Sequence, residues 1–173
     1  MILYDDADFD QVMRLMKLVP CVRRKPGQIY RAKKAFYNCS SLSTVEFGED
    51  VAGFGEYAFY GCSLLESINI PESVTSIGEQ AIYNCANLTN MSIPDSVTSI
   101  GDSAFEDCTK LTSVTLGDNG QAITIYSSAF KDCTSLTTVT IPNSVTTIGR
   151  SAFAYCDSLT SVTIPDSVTY IGK

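Results

Sequence analysis

The pattern of apolar and polar positions repeats along most of this chain with a period of 23 residues. Cysteine occurs at positions 39, 62, 85, 108, 133 and 156, so the steps are 23, 23, 23, 25 and 23 residues. Nearly the same frame surrounds each cysteine: Ile-Pro-x-Ser-Val-Thr-x-Ile-Gly-x-x-Ala-Phe-x-x-Cys-x-x-Leu-x-x-Val. A fixed period in this range predicts a solenoid, in which each unit buries its apolar face only against its neighbours.

Two apolar segments in each unit are predicted to be short strands. The first carries a leucine and then two apolar residues that alternate with a polar one, as in Leu111, Val114 and Leu116, which points the last two inward. The second is an apolar pair such as Val97 and Ile100, expected on the opposite side of the coil. Proline ends the first segment in four units because it lacks the donor of a sheet ladder, at Pro71, Pro94, Pro142 and Pro165.

The last part of each unit predicts a tight turn. Glycine follows the second apolar pair, as at Gly78 and Gly101, and is expected to hold a turn that bulkier residues resist. An Ala-Phe pair comes next, and its small alanine leaves room for a short helical or 3-10 turn. The phenylalanines are expected to stack into an aromatic spine, with members at positions 36, 59, 105, 130 and 153.

The seven cysteines are interpreted as buried thiols rather than as a disulfide framework. Six of them occupy the same place in successive units, which stacks them in a column about 4.8 Å apart with parallel side chains. Parallel Cβ vectors do not suit a disulfide, whereas small apolar thiols fill a core position well. Cys21 lies outside this column, and its redox state is left open.

The N-terminal part departs from the repeat and predicts a cap. Residues 5–19 read as a helix, because aspartates fill the first turn, apolar residues recur at three- and four-residue steps, and Pro20 follows. We therefore divide the chain into an N-terminal helical cap over residues 1–26 and a repeat region over residues 27–173. The first coil of a solenoid needs such a cover, so a cap is favoured over a partner-binding helix.

Two departures from the frame carry further expectations. One unit is two residues longer than the others, and its segment from Gly117 to Ala122 predicts a bulged loop rather than a calcium site, because it offers few oxygen ligands. At the other departure the frame is incomplete after Lys173, which leaves the inward residues near Ile171 open. We expect either that the array continues or that two copies associate end to end through this uncapped coil.

Composition and charge exclude several classes of function. The net charge of −7 argues against a nucleic-acid or anionic-membrane surface, and no apolar run approaches the roughly 20 residues of a membrane span. Six of the twelve basic residues lie between Cys21 and Lys34, a run interpreted as solvated surface rather than an anion site. The first residues are acidic where a secretory signal is basic, so no signal peptide is predicted.

Catalytic and cofactor chemistry find no support. Histidine is absent, which removes Ser-His-Asp, Cys-His and His-x-x-x-His arrangements, and no glycine-rich phosphate loop occurs. Carboxylates recur once per unit, which predicts a row of like charge rather than a converged acid–base pair. We predict a protein that is not an enzyme and has no cofactor or metal.

The frame, with Leu-x-x-Val-x-Ile-Pro followed by Val-x-x-Ile-Gly-x-x-Ala-Phe-x-x-Cys, resembles the BspA-like (Treponema pallidum-type) leucine-rich repeats. The resemblance covers about residues 35–172 and implies a right-handed, curved solenoid of about six units, the last incomplete, with a parallel sheet on its concave side. It also implies recognition or adhesion at the surface of a cell. No asparagine ladder is present, and cysteine and serine stand in the comparable region.

Two candidate binding surfaces follow. The concave sheet should carry the small polar row Glu46, Asn69, Ser92, Thr115, Thr140 and Thr163. The other is a stripe one residue after the phenylalanine position, which would suit a protein or glycan partner if its rings point outward and would be rim packing if they point inward, at Tyr37, Tyr60 and Tyr83.

Two functions remain in view. The resemblance implies a secreted or cell-surface recognition and adhesion module that binds a protein. The lack of a leader in these residues favours the alternative, an intracellular scaffold or a structural segment of a larger repeat protein.

Overall fold

The structure, a computed structural model, describes residues 33–48 and 50–173. The predicted helix over residues 5–19, the cap over residues 1–26 and Cys21 lie outside these residues. The described part is a parallel β-solenoid of about five turns, which confirms the predicted architecture.

Short parallel strands recur in each full coil. In chain order the described part contains β1 Gly53–Phe54, β2 Ser76–Ile77, β3 Asn90–Ile93, β4 Ser99–Ile100, β5 Ser113–Leu116, β6 Ile123–Ile125, β7 Thr138–Thr140, β8 Val145–Ile148 and β9 Tyr170–Ile171. They form a six-stranded sheet, β1-β2-β4-β6-β8-β9, and a three-stranded sheet, β3-β5-β7. Both predicted strand segments therefore exist, and the valine–isoleucine segment makes the longer ladder.

Register between the coils follows the sequence period. Met91 pairs with Val114 and Val114 with Val139, while Ile77 pairs with Ile100 in the other sheet. Because parallel strands in this register place equivalent residues one above the other, each position of the frame becomes a column. The leucine column is completely buried, at Leu65, Leu88, Leu111 and Leu136.

The cysteine and phenylalanine columns fill the core as predicted. The Cys85 thiol donates to the Phe59 carbonyl at 3.3 Å, and the same contact recurs at 3.1–3.3 Å for the other thiols that follow this pattern, from Cys62 to Cys156. These thiols are free rather than disulfide-bonded. The phenyl rings stack at 5.0–5.3 Å within two groups that Ile82 separates, Phe36 with Phe59 and Phe105 with Phe130 and Phe153.

The Ala-Phe segment forms hydrogen-bonded turns, and no helical or 3-10 segment occurs in the described part of the chain. In one coil, amide groups alternate between a local bond and a bond to the next coil: Tyr60 N–H donates to the Tyr57 carbonyl at 3.2 Å, and Phe59 N–H donates to the Ala81 carbonyl at 2.7 Å. Tyr57 and Gly61 have φ of 59° and 70°. A left-handed residue on each side prevents the turn from continuing as a 3-10 helix.

The glycine column has a different physical cause from the one predicted. Gly78 and Gly101 do not adopt positive φ. A Cβ on Gly101 would instead lie 2.7 Å from the Gly78 carbonyl carbon and 2.8 Å from the Glu79 nitrogen. Glycine is required here because the backbones of neighbouring coils approach each other too closely for a side chain.

The two-residue insertion alters the stacking of its coil. Strand β6 shifts register against β8 between Ile123 and Thr124, as the predicted bulge requires. The hydroxyl of Ser96 donates to the Val74 carbonyl at 2.6 Å, whereas the equivalent hydroxyl of Ser144 is buried and has no hydrogen-bond partner. The insertion thus removes one of the hydrogen bonds that recur from coil to coil.

Candidate functional site

Three tyrosines form a continuous stack along the turn edge of the solenoid. The ring centroids of Tyr37 and Tyr60 lie 4.8 Å apart with an interplanar angle of 13°, and those of Tyr60 and Tyr83 lie 4.7 Å apart at 6°. Tyr37 is exposed, while Tyr60 and Tyr83 are half-buried. The rings follow the buried phenylalanines by one residue, so the spacing between coils sets their stacking distance.

A fourth ring joins the stack, and sequence reasoning missed it. Tyr57 lies 6.3 Å from Tyr37 and 5.8 Å from Tyr60 between ring centroids. The Lys34 ammonium sits 5.0 Å from the Tyr37 centroid and 5.4 Å from that of Tyr57, which is cation–π geometry. Lys34 and Tyr57 occupy the same position of successive units, so their common phase was the available signal. We call Tyr37, Tyr57, Tyr60 and Tyr83 the tyrosine cluster.

Carboxylates border two members of the tyrosine cluster, Tyr57 and Tyr83. The negative charge of Glu79, with a smaller contribution from Glu56, raises the pKa of Tyr57. The Asp107 carboxylate accepts a hydrogen bond from the Tyr83 hydroxyl and raises the pKa of Tyr83. The raised pKa values keep the hydroxyl groups of Tyr57 and Tyr83 protonated, so that both can donate hydrogen bonds.

Beyond Tyr83 the same row continues as an ion pair. The Lys131 ammonium lies 2.6 Å from a Glu106 carboxylate oxygen and 3.0 Å from one of Asp132. Lys131 and Glu106 occupy the row of Tyr83 in the next two coils, so their charges satisfy each other. The aromatic character of the row is thus confined to its first three coils.

The predicted concave row is exposed but lacks large side chains. Ser92, Thr115 and Thr140 lie in register on β3, β5 and β7, with their side chains exposed. The remaining members, Glu46, Asn69 and Thr163, are exposed in coils where no strand of this sheet is present.

Two open clefts border this sheet. Glu46, Phe47 and Asn69 help to line one of about 730 Å³, and Thr140 and Thr163 line one of about 330 Å³. Within the described residues no group of three or more histidine, cysteine or acidic side chains is placed to hold a metal ion. No helix of the described part is long and apolar enough to cross a membrane.

Parallel coils of 23 residues, each burying one leucine in register with the next, define a leucine-rich-repeat solenoid. The sequence model of the BspA type leucine-rich repeat region matches residues 30–126 and 123–173, in six copies. The chain therefore belongs to the BspA-type leucine-rich repeat family, as the residue pattern predicted.

Solved structures of bacterial leucine-rich-repeat proteins have the same fold. One from Bacteroides ovatus is 29% identical, with a TM-score of 0.60, over 82% of this chain and 42% of that one. The leucine-rich repeat protein of T. pallidum is 26% identical, with a TM-score of 0.56, over 82% of this chain and 77% of that one. One from Eubacterium ventriosum is 28% identical, with a TM-score of 0.51, over 72% of this chain and 40% of that one.

The chain thus spans less than half the length of two of these three structures. A comparison with curated protein sequences finds no match.

Proposed function

We propose that this chain is a non-enzymatic recognition module that binds a protein ligand through the tyrosine cluster. The observation that carries the proposal is the stack of Tyr37, Tyr60 and Tyr83 at 4.7–4.8 Å, joined by Tyr57 on its flank. Family membership supports the class of function, because repeats of this type are generally protein-interaction or adhesion modules.

The tyrosine cluster has the properties of a binding hot spot. Tyrosine is enriched among the residues that dominate interface energies, and its two side-chain torsions cost little entropy to fix. In this stack the rings already hold one another in place, so binding requires little further ordering. The sheet face from Ser92 to Thr140 carries small hydroxyl and amide side chains and has no such aromatic anchors.

A binding assay with matched variants tests the assignment. We expect the purified chain to bind an extracellular matrix protein or a cell surface, and the triple change Tyr37→Ala, Tyr60→Ala and Tyr83→Ala to reduce the affinity at least tenfold. The matched control changes Thr115 and Thr140 to Ala on the sheet face and should bind as the parent chain does. Circular dichroism confirms that each variant is folded.

Undiminished binding by the tyrosine variant would refute the cluster as the contact surface. Loss of binding only in the threonine variant would move the site to the sheet face. A glycan ligand would appear as binding that glycosidase treatment of the target abolishes while proteolysis does not, and that result would contradict a protein ligand.

Location separates adhesion from the alternative, an intracellular scaffold or a structural segment of a larger repeat protein. We propose display at the cell surface, in line with the recognition role. Fractionation of the native cell tests this, because recovery of the protein with the surface fraction supports adhesion and recovery in the cytosol supports the scaffold.

The last coil motivates a second proposal, end-to-end self-association. Ile171 is 59% exposed, whereas its equivalent one coil earlier, Ile148, is 5% exposed. Two further apolar residues of this coil, Val162 and Ile164, are 43% and 39% exposed. Light scattering over a range of concentrations should show a dimer that Ile171→Asp abolishes, and a monomer at every concentration would contradict the proposal.

A further inference from the structure

The tyrosine cluster already holds a cation of the chain itself. The Lys34 ammonium lies over the rings of Tyr37 and Tyr57, at 5.0 and 5.4 Å from their centroids. Its neighbour Lys33 instead forms an ion pair with Glu56 at 2.6 Å. Of these two adjacent lysines, Lys33 pairs with a carboxylate and Lys34 contacts the faces of aromatic rings.

The contact of Lys34 is weak enough to be replaced. Its side chain is exposed, and an exposed cation–π contact is favoured over its broken state only about two- to five-fold. A contact of this strength is broken in roughly one molecule in three to one in six. The rings are therefore accessible to another cation in a substantial fraction of molecules.

The charge around the rings favours a positive ligand. The chain carries 19 acidic and 12 basic residues, a net charge of −7. The carboxylates of Glu79 and Asp107 act on the phenol groups of Tyr57 and Tyr83, whose pKa values they raise. An ammonium or guanidinium group can meet a ring and a carboxylate here together, whereas an anionic segment would be repelled.

We propose that the tyrosine cluster recognises lysine or arginine side chains of a partner protein, and that Lys34 is an internal stand-in that such a side chain replaces. The inference rests on the proposed function and adds the chemistry of the ligand to it.

Calorimetric titration of the full chain with a hexa-arginine peptide tests the inference, with a hexaglutamate peptide as the charge control. We expect hexa-arginine to bind and hexaglutamate not to bind. Because Lys34 blocks the rings in most molecules, Lys34→Met should raise the affinity roughly three- to six-fold. Lys33→Met removes the same charge from the same edge without uncovering a ring, so it should raise the affinity for hexa-arginine less. Equal increases in affinity for the two variants would mean that only the net charge of the chain matters, and this result would overturn the inference.

A second pair of variants separates the ring from the hydroxyl. Tyr57→Phe keeps the ring and should retain hexa-arginine binding, while Tyr57→Leu should weaken it at least threefold. Equal affinities of the Phe and Leu variants would contradict recognition by the aromatic face. If the partner protein binds through the tyrosines while hexa-arginine does not bind, the proposed function stands and this inference fails.

Discussion

A methyl group added to the glycine column should force two coils apart. In Gly101→Ala the new Cβ would lie 2.7–2.9 Å from three backbone atoms of the coil before it. Gly101 does not have positive φ, so alanine can adopt its backbone conformation and the effect is purely steric. Relief of the shortest contact from 2.7 Å to an ordinary 3.4 Å needs a shift of about 0.7 Å, which would stretch the 2.9 Å hydrogen bond from Gly101 N–H to the Ile77 carbonyl beyond its useful range.

Overpacking of this kind costs about 1–3 kcal/mol, and the lost hydrogen bond adds about 1 kcal/mol. We therefore expect the free energy of unfolding to fall by about 2–4 kcal/mol and Tm by about 5–15 °C for a chain of this size. Urea unfolding followed by circular dichroism measures the first quantity. Gly120→Ala is the matched control, because a Cβ there meets no atom within 4 Å and only the φ of 75° opposes it. A loss at Gly101 no larger than at Gly120 would refute close packing of the coils.

Two further predictions concern the core and its columns. Ser96→Ala should lower the free energy of unfolding by about 1 kcal/mol, because it removes the hydrogen bond to the Val74 carbonyl. Ser144→Ala should leave the free energy of unfolding unchanged or raise it, because the buried hydroxyl of Ser144 has no hydrogen-bond partner. Equal losses of stability in urea unfolding would contradict this difference. Burial raises the pKa of Cys62 to about 12 and that of Cys108 well above its ordinary value. Thiols of the unfolded chain ionise from about pH 8.5, so the stability that burial of these two protonated thiols contributes is fully present below that pH and falls as the pH rises above it. Urea midpoints at pH 8 and pH 10 measure this loss, and Cys108→Ala should make the fall less steep.

Much of the fold could be predicted because a repeat states each constraint several times. The columns of leucine, cysteine and phenylalanine follow from the period alone, because parallel stacking of the coils places equivalent residues directly above one another. The cause of the glycine column could not be read in this way. A glycine required by close backbone approach, as at Gly101, and one that adopts positive φ, as at Gly61, look alike in a sequence.

The candidate site was predictable only in part. Tyr37, Tyr60 and Tyr83 share one phase of the frame, so their stacking follows from the repeat. Lys34 and Tyr57 share another phase, and they reach the stack because the turn places a left-handed residue at each end of the Ala-Phe segment. The same turn was predicted to be helical or 3-10. A helical turn does not predict that residues at the Lys34 position contact residues at the Tyr37 position.

Amide chemical shifts during titration with hexa-arginine test the central claim most directly. The account predicts that the largest changes fall on Tyr37, Tyr57 and Tyr60 at the turn edge, with Ser92 and Thr115 on the sheet face unchanged. Changes centred on the sheet face, or spread evenly over the acidic surface, would contradict the claim that stacked tyrosines form the recognition site of this solenoid.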